Sequence, residues 1–147
     1  MKQTQPIETG IAVVDVELML DFYSTVLDCK ELRRSDIPEQ MSSALTVAQE
    51  GYLNIWLQTP NQEIIKLMAP PQAPTIRKTP EFLAAQTGIA YLTFYCSDLD
   101  ATLAKAESKG GILRSSRDLL NPDNPLRLCF FSDPEGNVIE LVEVSAG

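Results

Sequence analysis

Apolar and polar residues alternate with period two in several short stretches of this chain, the spacing of half-buried strands. In the first stretch Ile11 and Val13 share one face, and Glu8, Gly10, Ala12 and Val14 the other. Leu53, Ile55 and Leu57 oppose Asn54, Trp56 and Gln58, while Ile65 and Leu67 oppose Ile64, Lys66 and Met68. Further on, Ala90, Leu92, Phe94 and Cys96 oppose Tyr91, Thr93 and Tyr95. Leu126, Leu128 and Phe130 are expected on the apolar face against Arg127 and Cys129, and Ile139 and Leu141 against Val138, Glu140 and Val142.

Two stretches have helical spacing instead. Asp15 and Asp98 stand where an N-cap belongs, and Glu17 and Asp100 suit the first turn electrostatically. These helices are expected to run to about Leu27 and Lys109, with Gly110-Gly111 stopping the second. Extended segments follow each: roughly Lys30 to Ser35, Tyr52 to Gln58 and Gln62 to Met68, then Gly111 to Ser116, Leu126 to Ser132 and Asn137 to Val144. Thr59-Pro60-Asn61 reads as a hairpin turn, and Pro38 to Gln49 as a short inserted helix.

The order β-α-β-β-β therefore occurs twice, and Thr9-Gly10-Ile11-Ala12 recurs as Thr87-Gly88-Ile89-Ala90. The chain reads as an α+β protein of two tandem modules, residues 1–69 and 87–147, joined by a stiff proline-rich connector over 70–86. Halves of this size rarely stand alone, so their mixed sheets are expected to curve around a shared cleft.

One face of each strand is apolar and suited to pack on a helix. The other collects Glu8, Asn54, Trp56, Lys66, Tyr91, Thr93, Arg127 and Glu140. Unpaired polar groups are not tolerated in a dry core, so these residues are the candidate lining of a cleft. The competing possibility is a merely solvated face, or one where Lys66 and Arg127 neutralise Glu8 and Glu140.

Composition narrows the partners. Hydrophobic residues make up 44% of the 147 and charged residues 22%, as in a folded domain. A net charge of -8 argues against phosphate-mediated nucleic-acid binding. No apolar run is long enough for a membrane span. Cys29, Cys96 and Cys129 form no CxxC pair; with no secretory signal at the N-terminus they point to reduced thiols in the cytoplasm.

Phe130-Phe131-Ser132-Asp133-Pro134-Glu135-Gly136-Asn137-Val138-Ile139-Glu140-Leu141 is the most specific stretch: strand, tight turn, and a strand with one carboxylate in an apolar run. It resembles the closing hairpin of the vicinal oxygen chelate superfamily, which includes glyoxalase I, extradiol dioxygenases and bleomycin-resistance proteins. In metal-dependent members the glutamate equivalent to Glu140 is a ligand. Counting back from Asp15 and Asp98 carries two further ligand positions onto Glu8 and Tyr91, and the last strand of the first half carries the fourth onto Lys66. The chain has no histidine. An ammonium where an acid is usual would occupy the cation's place, so no bound metal and no other cofactor are expected.

The resemblance implies a small-molecule binding protein of the bleomycin-resistance kind, its partner a small ligand and its assembly a homodimer. The alternative is a glyoxalase-like lyase or isomerase, with Glu140 as base, Tyr91 as acid and Lys66 or Arg127 steadying an oxyanion. Glu8, Asn54, Trp56, Lys66, Thr93 and Arg127 would contact the ligand in either case. A module whose cleft has decayed is a third possibility, disfavoured by the polar residues kept on the cleft faces.

Overall fold

Two βαβββ modules follow one another along the chain, each a helix packed on a mixed sheet of four strands. The computed structural model describes residues 2–116 and 127–144. It divides into compact units at Met1–Thr75 and Ile76–Gly147, a boundary inside the proline-rich stretch.

In the first unit β1 (Glu8–Ala12) leads to α1 (Val16–Val26), β2 (Lys30–Ile37), a short α2 (Glu39–Ala44), β3 (Tyr52–Gln58) and β4 (Ile64–Ala69). The strand order is β1-β4-β3-β2, with β1 parallel to β4 and the other pairs antiparallel. The Asp15 carboxylate accepts from the Leu18 amide at 3.0 Å and starts α1. Met19, Phe22, Tyr23 and Val26 recur at helical spacing and are buried. They form a core with Ile11, Val13, Ile55, Leu57, Ile65 and Leu67. The inserted helix is shorter than the expected Pro38–Gln49, and the strand before it continues two residues further, to Ile37.

The second unit contains β5 (Leu92–Cys96), α3 (Leu99–Ser108), β6 (Ile112–Leu113), β7 (Arg127–Ser132) and β8 (Val138–Glu143), in the order β5-β8-β7-β6. Asp98 caps α3 by accepting from the Ala101 amide at 2.9 Å, and Leu99, Leu103 and Ala106 are its buried face. Leu126, expected to open the seventh strand, lies outside the described residues.

The Asp133–Asn137 turn is built by one buried side chain. Asp133 Oδ1 accepts from the amides of Glu135 at 3.0 Å and Asn137 at 2.9 Å, while Oδ2 accepts from the Asn137 side-chain amide at 2.8 Å. Gly136 takes the positive φ, 90°, that the turn demands. Its carbonyl accepts from the Thr79 hydroxyl at 2.8 Å, which ties residues before β5 to this hairpin.

The repeated Thr-Gly-Ile-Ala motif is not structurally equivalent in the two modules. Gly10 lies inside β1 opposite Lys66, whereas Gly88 precedes β5 with φ of 122°. Cap-to-cap correspondence of Asp15 with Asp98 instead matches Gly10 to Thr93 and Glu8 to Tyr91.

Candidate functional site

The face of the first sheet turned away from α1 is set by register. Gly10 pairs with Lys66, Lys66 with Trp56, and Trp56 with Arg33, so these four cross the sheet in one row. Glu8 lies two residues before Gly10, and its carboxylate is 2.5 Å from Lys66 Nζ. Both side chains keep partial access to solvent, 31% for Lys66 and 41% for Glu8. Arg33 lies over the Trp56 ring, with its guanidinium carbon 3.9 Å from the centroid. Asn54, on the same face of β3, is 3% exposed and its Oδ1 has no hydrogen-bond partner.

The second sheet repeats this layout with different chemistry. Thr93 pairs with Glu140, and Glu140 with Phe130, matching Gly10–Lys66–Trp56 position for position. The Thr93 hydroxyl donates to Glu140 Oε2 at 2.6 Å. Tyr91 packs edge-to-face on Phe130, with ring centroids 5.1 Å apart and planes at 82°. Glu140 has no ion-pair partner among the described residues.

Arg127 departs from its expected place. It pairs with Glu143, not Glu140, and shares the helix-covered side of β7 with Cys129 and Phe131. There Arg127 Nη2 is 2.9 Å from Asp100 Oδ2, and Nη1 is 3.2 Å from Glu143 Oε2. The Asp100 carboxylate above all, with Glu143, holds this guanidinium more firmly protonated than usual. Glu143 also accepts from the Leu99 amide at 2.8 Å, so the cluster fastens the start of α3 to β7 and β8. The alternation placed Arg127 beside Glu140; the residue there is Phe130, which was expected on the apolar face.

Phe130 and Arg33 are the members of these faces that pattern reading missed. For Arg33 a register irregularity between Glu31 and Arg33 breaks the period-two signal. For Phe130 the hairpin offered a signal: a turn pairing Ser132 with Val138 puts Phe130 opposite Glu140.

Two βαβββ units, each with its first and last strands paired in parallel as β1–β4 and β5–β8, define the fold of a known superfamily. The chain belongs to the Glyoxalase/Bleomycin resistance protein/Dioxygenase superfamily, whose sequence model matches residues 5–141. Among solved structures it is similar to a glyoxalase family protein from Bacillus cereus, with a TM-score of 0.83 and 19% identity over 99% of this chain and 97% of that one. Glyoxalase I from Zea mays superposes with a TM-score of 0.70 at 19% identity over 95% of this chain, which spans only 44% of the maize protein. The fosfomycin resistance protein FosX from Listeria monocytogenes, solved with Mn(II) and sulfate, gives a TM-score of 0.62 at 12% identity, covering 98% of this chain and 95% of that one. No curated protein sequence matches the chain.

A divalent metal of the kind bound by the Listeria protein does not fit the residues present here. Among the described residues no three histidine, cysteine, aspartate or glutamate side chains come together to hold an ion. The Glu8 carboxylate is already engaged by the Lys66 ammonium, which would repel a cation. Among the described residues no helix is long and apolar enough to cross a membrane.

Proposed function

We propose that this protein binds a small organic molecule in the manner of the bleomycin-resistance branch of its superfamily, without a tightly bound metal. The observation that carries the reading is the Lys66–Glu8 ion pair, which puts a fixed ammonium beside a carboxylate at positions the family resemblance gives to metal ligands. The non-helical face of each sheet, taken by itself, keeps groups suited to ligand contact. Trp56 and Tyr91 offer rings, Asn54 offers a buried acceptor, and Thr93 and Glu140 form a hydrogen-bonded pair.

A thermal-shift screen of small metabolites and drugs in chelator-treated protein tests the proposal. Stabilisation by a ligand in the presence of chelator is expected. Ligands that stabilise only after Mn(II) or Zn(II) is added would overturn it.

The lyase or isomerase reading assigns Glu140 as base and Tyr91 as acid. Its support is that both flank Phe130 on one sheet face. Turnover of an oxo or epoxide compound, lost in both Glu140→Gln and Tyr91→Phe, would favour it over binding alone.

A further inference from the structure

We propose that the face of the second sheet carrying Glu140 binds an organic ammonium group. This deepens the small-molecule reading above and rests on it. Glu140 is a half-buried carboxylate in the apolar strand Val138–Glu143; it accepts from the neutral Thr93 hydroxyl and has no ion-pair partner among the described residues. Removing a carboxylate from water without a counter-charge is costly. The cations that sequence reasoning offered it are engaged elsewhere, Lys66 with Glu8 and Arg127 with Asp100 and Glu143. Arg114, in the same unit, donates to the Pro80 carbonyl at 2.8 Å. The missing positive charge is therefore assigned to the ligand.

The surroundings select the kind of cation. Tyr91 and Tyr95 lie on the same face of the sheet as Thr93, 43% and 69% exposed, and Phe130 lies across from Glu140. Aromatic faces attract a weakly hydrated organic cation, whereas a hard divalent ion demands several oxygen ligands that one carboxylate and one hydroxyl do not supply. The net charge of -8 draws cations toward the protein at long range.

A backbone-amide NMR titration of the full chain tests the assignment, with benzyltrimethylammonium as cationic probe and benzyl alcohol as neutral control. The cation should shift amides of β5 and β8 saturably and bind about tenfold or more tightly than the alcohol. Glu140→Gln should weaken the cation about tenfold and leave the alcohol unchanged. Tyr91→Leu gives a second reading that keeps the carboxylate, and it should also weaken the cation selectively. Equal binding of both probes, or a cation indifferent to both substitutions, overturns the ammonium site while leaving the small-molecule reading intact. Absence of any saturable shift in β5 and β8 with the cation overturns it too, and the chelator-treated ligand screen then judges the broader reading separately.

Discussion

Lys66 and Glu140 occupy the same register position in the two modules, one opposite Gly10 and Trp56, the other opposite Thr93 and Phe130, with charges of opposite sign. The duplicated backbone thus carries unlike chemistry on its two sheets. On the first, Lys66 is paired with Glu8; on the second, Glu140 accepts from the Thr93 hydroxyl and has no ion-pair partner among the described residues.

The Lys66–Glu8 pair is too exposed to be a major source of stability. Lys66→Met should cost less than about 1 kcal/mol, as is usual for ion pairs that water reaches. Urea denaturation of the purified variant measures this. A loss of several kcal/mol would make the pair a structural element of the sheet.

Glu140 and Arg127 should separate function from stability. Glu140→Gln keeps an acceptor for Thr93 and leaves no protein cation orphaned, so its Tm should stay level or rise while ligand affinity falls. Arg127→Met frees Asp100 and Glu143 at the start of α3, so Tm should fall while affinity for the ligand holds. Calorimetry of both variants, with and without ligand, gives the comparison. The reversed pattern would place the ligand on the wrong side of the sheet.

Asn54 is an acceptor buried at a cost. An unsatisfied buried carbonyl oxygen costs about 1–3 kcal/mol, so Asn54→Leu, of similar shape, should stabilise the free protein by an amount in that range. If Asn54 is retained to accept from the ligand, the same variant binds more weakly. A destabilised variant with unchanged binding would show that the amide serves the fold.

Cys29 sets a pH dependence with a definite sign. Burial above all, then the nearby charges of Asp28 and Glu63, pushes its thiol from 9.0 up to about 12. The unfolded chain therefore releases this proton at lower pH than the native one. Its contribution to stability is complete below about pH 9 and declines as pH rises toward about 12. Denaturation curves of Cys29→Ala should lack this alkaline decline; an identical decline in both proteins would assign it to other groups.

Much of this architecture was legible because local chemistry and global pattern agree. Asp15 and Asp98 both cap helices, the strand Tyr52–Gln58 has the expected bounds, and Glu140 faces away from the core formed by Ile139 and Leu141. What failed, failed where apolarity was continuous. Leu128-Cys129-Phe130-Phe131 is apolar on both faces, so alternation could not say which face the helix covers, and Arg127 was placed beside the wrong glutamate. The Thr-Gly-Ile-Ala repeat misled similarly, since identical residues fell at different distances from their caps. Short-range identity carries no register; caps and hairpin turns do.

Metal analysis tests the central claim most directly. The protein would be dialysed against chelator, re-exposed to a mixture of Mn(II), Ni(II) and Zn(II), desalted, and assayed for bound metal and for ligand affinity. With Lys66 holding the carboxylate of Glu8, the expected result is far less than one ion per chain and a ligand affinity unchanged by the treatment. Retention of about one ion per chain, with binding that depends on it, would contradict the account.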